Sequence, residues 1–185
     1  MLIVGLGNPG QAYENNRHNI GFLVIDELVR RCNAVAITKA SFEGHLYKCH
    51  SHYLLKPTTY MNLSGRAIAA VKNFYKIDEV IVIHDDLDLL FGALRFKKGG
   101  GHGGHNGLKS TDTAISREYI RVRMGIGKPE HKGEVASYVL SDFSEKEQPY
   151  LHEWINKAAD AVELLLHESV ETVASKYAVK KIEIE

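Results

Sequence analysis

The chain has 185 residues, with 23 basic and 23 acidic side chains and 44% hydrophobic residues. This length fits one domain with a sizeable core, and the balanced charge excludes a protein that coats nucleic acid indiscriminately. No apolar run is long enough to span a bilayer, and the first residues lack the features of a signal peptide. We therefore expect a single domain over residues 1–185 that is soluble, cytoplasmic and not in contact with a membrane.

Apolar and amphipathic segments alternate along the chain. Residues 2–6 and 80–83 are short apolar runs, typical of strands that are buried on both faces in α/β proteins. Between them, residues 20–31 have the apolar spacing of a helix. Further strands are predicted over residues 34–38, 45–56 as a hairpin turning near Ser51, 93–96 and 119–124. Further helices are predicted from Ser64 as the N-cap, over residues 107–115, from Ser144 and over residues 170–175.

This order of elements predicts the fold class. Strands that alternate with helices favour an α/β protein, here a single-domain three-layer α/β/α sandwich with a twisted central sheet. We expect the sheet to be mixed and largely parallel. The C-terminal helices, over about residues 144–176, are expected to pack on the sheet.

Residues 97–109 are the most unusual stretch, because glycines surround two histidines and lysines stand on both sides. Glycine lowers stability through backbone entropy, so this density is typical of a loop whose main chain is approached closely. Exposed amides beside positive charge suit an anion such as a polymeric phosphate. Residues 95–132 hold nine basic and three acidic side chains, which indicates a limited phosphate contact. A solvated surface is the alternative.

Polar side chains follow three of the predicted strands. Asn8 follows the first, Asn62 follows the hairpin, and Asp85 follows the strand over residues 80–83. Ligands of open α/β sheets bind beyond the carboxyl ends of the strands, so we expect these side chains in one crevice. His18 and Asn106 stand at predicted helix starts and could reach it. The alternative for each asparagine is a turn or a cap.

Two cofactor sites are considered and set aside. Residues 5–10 (GLGNPG) match the dinucleotide fingerprint, but residues 11–18 have no helical stripe and residues 39–41 supply no acidic side chain, so nicotinamide binding is not expected. His102 and His105, with the nearby aspartates, are zinc-ligand types on a glycine loop without helical support. We expect neither a metal nor another cofactor.

Nucleophilic side chains are also weak candidates. Ser64 does not lie in a G-x-S-x-G motif, and its predicted capping role is sufficient to explain it. Cys32 and Cys49 have no metal or redox spacing, so we expect buried or idle thiols that require no oxidising compartment.

A series of motifs runs in order from the first strand to about Phe143. They are residues 4–10 (VGLGNPG), 17–19 (RHN), 21–22 (GF), 56–57 (KP), 60–65 (YMNLSG), 84–88 (HDDLD), 99–109 (GGGHGGHNGLK), 121–123 (RVR) and 125–129 (GIGKP). In their joint order they resemble the bacterial peptidyl-tRNA hydrolase family. The resemblance implies hydrolysis of the ester between a peptide and the 3′ ribose of tRNA, without a metal.

The resemblance also implies residue roles. His18 would be the general base and Asp85 its orienting partner, in line with the tautomer control that such a base needs. The substrate-binding side chains would be Asn8, Asn62 and Asn106, with Tyr13, Tyr60 and Met61 around the pocket. The tRNA-binding side chains would be Lys97 and Arg123 at the 5′ phosphate, assisted by His105. Residues 130–143 would form a lid.

Peptidyl-tRNA is thus the expected partner, through its acceptor stem and 5′ phosphate. We expect a monomer with no obligate protein partner. Two alternatives stay open: a nucleic-acid or nucleotide-binding module without catalysis, and a related hydrolase that acts on another ester. The pairing of His18 with Asp85 would argue against the first, because a binding module needs no oriented base.

Overall fold

A single mixed sheet of seven strands forms the centre of the computed structural model, which describes residues 1–185. The strands are β1 (Leu2–Gly5), β2 (Val35–Ala36), β3 (Gly44–Cys49), β4 (His52–Pro57), β5 (Val80–Asp86), β6 (Leu94–Lys98) and β7 (Ile120–Gly125). Their order across the sheet is β2-β3-β4-β1-β5-β7-β6. The four inner strands β4, β1, β5 and β7 run parallel. At the edges, β3 pairs antiparallel with β4, β2 pairs antiparallel with β3, and β6 pairs antiparallel with β7.

Helices cover both faces of this sheet. They are α1 (Ile20–Cys32), α2 (Ser64–Phe74), α3 (Asn106–Ile115), α4 (Val135–Val139), α5 (Leu151–Leu165) and α6 (Val170–Tyr177). One core contains Ile3 with residues of α1, α5 and α6, and the other contains Leu2 and Val4 with residues of α2 and α3. Alternate side chains of one strand thus face opposite layers. The prediction of a three-layer α/β/α sandwich is confirmed. No helix combines the length and apolar character needed to cross a membrane.

The parallel core determines where the polar loops meet. Because β1, β5 and β7 are parallel neighbours, their carboxyl ends lie at the same edge of the sheet. The chain leaves β1 towards Asn8, and β5 ends on Asp85 and Asp86. Helix α1 starts at this edge, because the short 3-10 helix Arg17–Asn19 leads directly into Ile20. The crevice expected from the sequence therefore has a physical basis in the topology.

Two glycines bring α1 into direct backbone contact with the sheet. A Cβ on Gly5 would lie 2.2 Å from the Gly21 carbonyl oxygen, and a Cβ on Gly21 would lie 2.5 Å from the carbonyl oxygen of Ile83. Neither position has space for a methyl group. The contact fixes the first turn of α1, and the segment that precedes it, against the ends of β1 and β5.

One predicted helix cap and one predicted helix start are wrong. Helix α2 begins at Ser64, but Ser64 does not cap it, because its hydroxyl donates back to the Met61 carbonyl at 2.8 Å. Helix α5 begins at Leu151 rather than at Ser144. Ser144 instead forms a turn with Glu147, whose backbone N–H donates to the Ser144 hydroxyl at 3.2 Å. A proline, Pro149, follows the turn in a short 3-10 helix and lacks the N–H that would continue an α-helix backwards.

Other differences are smaller, except at the cysteines. The strand predicted over residues 93–96 is displaced to Leu94–Lys98, which places Lys97 on β6 instead of in the glycine loop. The hairpin of β3 and β4 turns at residues 50–51, as predicted. Cys32 and Cys49 are joined in a disulfide with a Cα–Cα distance of 6.0 Å, so the prediction of idle thiols is wrong.

We predict that Gly21→Ala lowers the free energy of unfolding by about 1–3 kcal/mol, because the added methyl group forces α1 away from the sheet. Urea denaturation followed by circular dichroism measures the change. Gly133→Ala is the matched control, since nothing lies within 4 Å of a Cβ at that position. Equal stability of the two variants would contradict the close packing of α1 on β1.

Candidate active site

Asp85 is a buried carboxylate shared by two histidines. Its side chain is 1% exposed, at the carboxyl end of β5. Its Oδ2 lies 2.7 Å from His18 Nδ1, and its Oδ1 lies 2.8 Å from His105 Nε2. Each oxygen therefore accepts a hydrogen bond from a different imidazole. A carboxylate this deeply buried requires such donors, because desolvation of an unpaired charge is costly.

The tautomer of His105 follows from its other ring nitrogen. His105 precedes α3, and its Nδ1 accepts from the backbone N–H groups of Gly107 at 3.1 Å and Leu108 at 3.3 Å. A nitrogen that accepts carries no hydrogen, so the hydrogen of the ring is on Nε2 and is donated to Asp85. His105 is thus both the N-cap of α3 and a fixed donor to the carboxylate.

His18 has the opposite arrangement. Its Nδ1 faces Asp85 and donates, which leaves Nε2 with the lone pair. No other protein atom hydrogen-bonds to that nitrogen. His18 and Asp85 both line one cavity of about 600 Å³, which we name the main cavity. The ring of His18 stands 5.0 Å from that of His105, centroid to centroid. An oriented imidazole with a free Nε2 in a cavity is the arrangement that a general base needs.

Asn8 joins the three segments that surround this centre. Its backbone N–H donates to Asn19 Oδ1 at 2.9 Å, and its carbonyl accepts from Asn19 Nδ2 at 2.9 Å. Its own Oδ1 accepts from the Met61 backbone N–H at 2.8 Å. The Nδ2 group of Asn8 has no partner in the protein, so it is available to donate to a ligand. The amide therefore holds the loops and still offers one donor.

Asn106 and Asn62 lie in two neighbouring depressions. The main cavity, of about 600 Å³, is lined by His18, Asp85 and Asn106, and by the glycines of residues 101–104. A shallower groove, also of about 600 Å³, is lined by Asn106 together with Asn62. Asn106, the first residue of α3, therefore belongs to both. The structure brings Asn62 next to the main cavity but does not place it in the lining.

The predicted pocket residues Tyr13, Tyr60 and Met61 line neither of these two depressions. Tyr13 and Tyr60 meet edge to face with 6.4 Å between ring centroids, and Tyr60 is 59% exposed. Met61 is buried and its sulfur packs beside Gly107, where an added Cβ would come within 2.5 Å of Sδ. This contact explains the glycine that follows Asn106.

The basic residues of the cavity rim differ in how far they are already paired. Arg123 donates through Nε to Asp86 at 2.8 Å, which leaves its terminal NH₂ groups without protein partners. Lys97 is exposed and unpaired on β6, beside Arg121 in the register. Arg121 is buried and donates to the carbonyls of Gly101 at 2.7 Å and Gly100 at 2.9 Å. Of these three basic residues, Arg121 thus orders the glycine loop, whereas Lys97 and Arg123 keep charged groups that are free to bind an anion.

An ion pair beside His18 ties the centre to the C-terminal third of the chain. Arg17 Nη2 lies 2.9 Å from Glu147 Oε1, with both side chains about nine-tenths buried. The same guanidinium donates to the Asp142 carbonyl at 2.6 Å and to the Ser141 hydroxyl. It also stacks 4.3 Å from the Tyr138 ring. The C-terminal end of the predicted lid is therefore fastened to the residue next to the candidate base.

Two buried groups of the site have shifted pKa values. Burial raises the pKa of Asp85, but the interactions with His18 and His105 outweigh it and hold the pKa well below its ordinary value. Burial, together with the neighbouring His105, lowers the pKa of His84 to about 4. His84 Nδ1 donates to the Asp85 carbonyl at 2.8 Å, whereas its buried Nε2 has no partner. Asp85 is ionised and His84 is neutral at pH 7.

Sequence patterns missed three members of this arrangement. The RHN motif named Arg17 and Asn19 but gave neither a role, and Glu147 stood in a segment expected to be a plain helix start. His105 was expected at the tRNA, and the structure places its Nε2 on Asp85. The signal that could have found Glu147 is its spacing from Ser144, which is that of a capping box.

Comparison with known proteins shows a family similarity over nearly the whole chain. The family model described as peptidyl-tRNA hydrolase matches residues 2–185. The chain belongs to the peptidyl-tRNA hydrolase family. The peptidyl-tRNA hydrolase of Sulfurimonas denitrificans is 69% identical over 180 residues, covering 97% of each chain. That of Sulfurovum sp. is 56% identical over 184 residues, covering 98% of this chain and 97% of its own.

A solved structure extends the similarity to three dimensions. The crystal structure of the peptidyl-tRNA hydrolase from Acinetobacter baumannii superimposes with a TM-score of 0.91 at 36% identity, over 97% of this chain and 95% of that one. The family resemblance of the sequence motifs is confirmed, and with it the assignment of the chain as an enzyme of the peptidyl-tRNA hydrolase family.

We predict that acid weakens folding through His84. A histidine whose folded pKa is lowered contributes stability above its unfolded pKa of 6.5, and this contribution is lost as the pH falls to about 4. The free energy of unfolding should therefore fall by about 1 kcal/mol per pH unit over this window. His84→Asn should remove that share of the slope in urea titrations at several pH values. The exposed His167→Ala should keep it, and a wild-type slope in His84→Asn would refute the assignment.

Proposed function

We propose that this protein hydrolyses the ester bond between the peptide and the 3′ ribose of peptidyl-tRNA, with His18 as the general base. The observation that carries the proposal is the contact of His18 Nδ1 with Asp85, which leaves Nε2 free in the main cavity. Membership of the peptidyl-tRNA hydrolase family supplies the substrate. The products are free tRNA and a peptide, so the tRNA returns to translation.

In the proposed mechanism, His18 Nε2 removes a proton from water as the oxygen attacks the ester carbonyl. The imidazole becomes a cation, and the adjacent Asp85 carboxylate stabilises that charge and keeps the ring in position. His105 stays on the second carboxylate oxygen, so Asp85 has no freedom to rotate away. The proton then passes from His18 to the departing ribose oxygen.

The asparagine amides hold the reacting groups. Asn106, at the junction of the cavity and the groove, donates to the carbonyl oxygen on which negative charge develops. Asn8 Nδ2 and the Asn62 amide hold the peptide portion, whose backbone groups need both donors and acceptors. Neutral amides suit this role because they do not repel the phosphates of tRNA. Tyr13, Tyr60 and Met61 pack against the peptide and the terminal base.

Lys97 and Arg123 bind the 5′ phosphate of the acceptor stem. The free guanidinium NH₂ groups of Arg123 and the exposed ammonium of Lys97 both lie on the cavity rim. Phosphate contacts position a nucleic acid without reading its sequence, which allows one enzyme to accept many tRNAs. His105 contributes through Asp85 rather than through the phosphate, because both of its ring nitrogens are already used.

The reaction as proposed needs no metal ion. His18, Asp85 and His105 are possible metal ligands, with ligand atoms within 4.8 Å of one another. Their separations of 2.7 and 2.8 Å are those of N–H to oxygen hydrogen bonds, and these bonds satisfy both carboxylate oxygens.

We further propose that the chain forms a single domain and that residues 130–143 act as a lid over its main cavity. The enzyme works as a cytoplasmic monomer.

We predict that His18→Ala lowers kcat by about 10²–10⁴ and that Asp85→Asn has an effect of the same order, because both remove the oriented base. Release of peptide from N-acylated aminoacyl-tRNA measures the rate, with and without a chelator. The exposed His167→Ala serves as the control and should retain full activity. Chelator-sensitive release would refute the metal-free mechanism. Full tRNA affinity without hydrolysis by the wild type would favour a binding module.

We predict that Lys97→Ala raises KM and leaves kcat nearly unchanged, because the phosphate contact positions the substrate. Loss of one phosphate contact should also reduce the slope of log KM against log salt concentration by about 0.7–0.9. Lys157→Ala, an exposed lysine on α5, is the control and should match the wild type. An unaltered KM and salt dependence in Lys97→Ala would remove Lys97 from the phosphate site.

A further inference from the structure

A second cluster of metal-ligand side chains lies at the opposite ends of the parallel strands from the candidate active site. Cys32 is the last residue of α1, Cys49 is the last residue of β3, and His50 is the first residue of the hairpin turn. Their ligand atoms all lie within 4.8 Å of one another. In this structure the two sulfurs form a disulfide, and reduction would give two cysteine thiolates beside an imidazole nitrogen, which are ligand types that zinc prefers in proteins.

Topology places this cluster far from the reaction. β4 is parallel to β1, and the hairpin turn precedes the start of β4, whereas the active site lies beyond the end of β1. Helix α1 connects the two edges, because it begins next to His18 and ends at Cys32. A helix of 13 residues is about 20 Å long. The cysteines therefore take no part in the hydrolysis.

We propose that Cys32, Cys49 and His50 form a binding site for a thiophilic divalent cation of the zinc class when the disulfide is reduced. The three side chains converge although they come from two different elements and a turn. His50 is held in the left-handed region at φ 52°, and this conformation is uncommon for a non-glycine residue. Its exposed ring supplies a ligand, and the fourth position of the cation is open to water.

The geometry requires only a small rearrangement. Zn–S bonds of about 2.3 Å in tetrahedral geometry place two sulfurs about 3.8 Å apart, and a Zn–N bond of about 2.0 Å places the nitrogen about 3.6 Å from each sulfur. The three ligand atoms are already within 4.8 Å of one another, and the Cα atoms of the cysteines are 6.0 Å apart. Side-chain rotation at the two sulfurs suffices, because the backbones that carry them are packed in place.

The chemical balance is simple. A dithiol reductant gives two electrons and two protons to the Cys32–Cys49 disulfide, which becomes two thiols, and the reductant becomes a disulfide. Binding of one divalent cation then displaces the two thiol protons and uses the neutral imidazole of His50. The disulfide and the metal complex are mutually exclusive, because the same two sulfurs form both.

Cobalt(II) provides the test, because thiolate-to-cobalt charge transfer is visible in the near ultraviolet and does not arise at histidine and carboxylate ligands alone. Full-length protein is reduced, freed of reductant under anaerobic conditions and titrated with Co²⁺, followed by competition with Zn²⁺. His50→Asn removes the third ligand but retains a residue type that tolerates the left-handed backbone. His45→Ala, at the other end of the same hairpin, is the matched control.

The expected result is one Co²⁺ per reduced chain with a thiolate band, displaced by Zn²⁺ and absent from the oxidised protein. Cys32→Ser and Cys49→Ser should lose the band, His50→Asn should weaken binding at least about tenfold, and His45→Ala should match the wild type. Absence of a thiolate band in the reduced wild type would overturn the site. Wild-type affinity in His50→Asn would overturn the three-ligand assignment, and that variant is expected to fold because His50 is exposed.

Discussion

The active site depends on one interaction, the acceptance of two imidazole N–H groups by the buried carboxylate of Asp85. Loss of either donor leaves an ionised group without its full set of partners in a nearly dry position, which typically costs several kcal/mol. The same two bonds hold His18 in the orientation that its proposed role as a base requires, and they fix the start of α3 through His105. Chemistry and helix placement are thus determined by one side chain.

Neutral side chains complete this arrangement without adding charge. Asn8 and Asn19 exchange two hydrogen bonds between side chain and backbone, and Asn8 also accepts from Met61. These bonds connect the loop after β1, the segment before α1 and the segment before α2. Glycine makes the connection possible, since Gly5 and Gly21 allow the helix to rest directly on the strand. The rigid placement of His18 therefore follows from the asparagine hydrogen bonds and from the two glycines, whose lack of a side chain permits the close packing.

Much of this could be predicted from local patterns and topology. Apolar runs and helical spacing predicted the layers, and the rule that ligands bind at the carboxyl ends of parallel strands predicted that His18 and Asp85 share a cavity. Asn8, which was expected in the same crevice, instead bonds to Asn19 and Met61 and is not part of the cavity lining. The failures concern contacts between distant segments. Local spacing does not reveal that His105 reaches Asp85, that Cys32 bonds to Cys49, or that Arg17 pairs with Glu147. At Ser64 the hydroxyl donates to the Met61 carbonyl instead of capping α2, and at Ser144 the reciprocal bonds with Glu147 form in a turn that precedes α5.

The pairing of Arg17 with Glu147 joins residues 130 positions apart in the sequence. The chain between them includes β5 and β7, which are neighbouring strands of the sheet. A ribosome makes the chain from the N-terminus, and contacts over such separations form only after both segments have emerged. A nascent chain that has produced His18 and Asp85 but not Glu147 therefore lacks the ion pair that holds Arg17, the residue next to His18. The arrangement around His18 is therefore completed late in synthesis, after about four-fifths of the chain has left the ribosome.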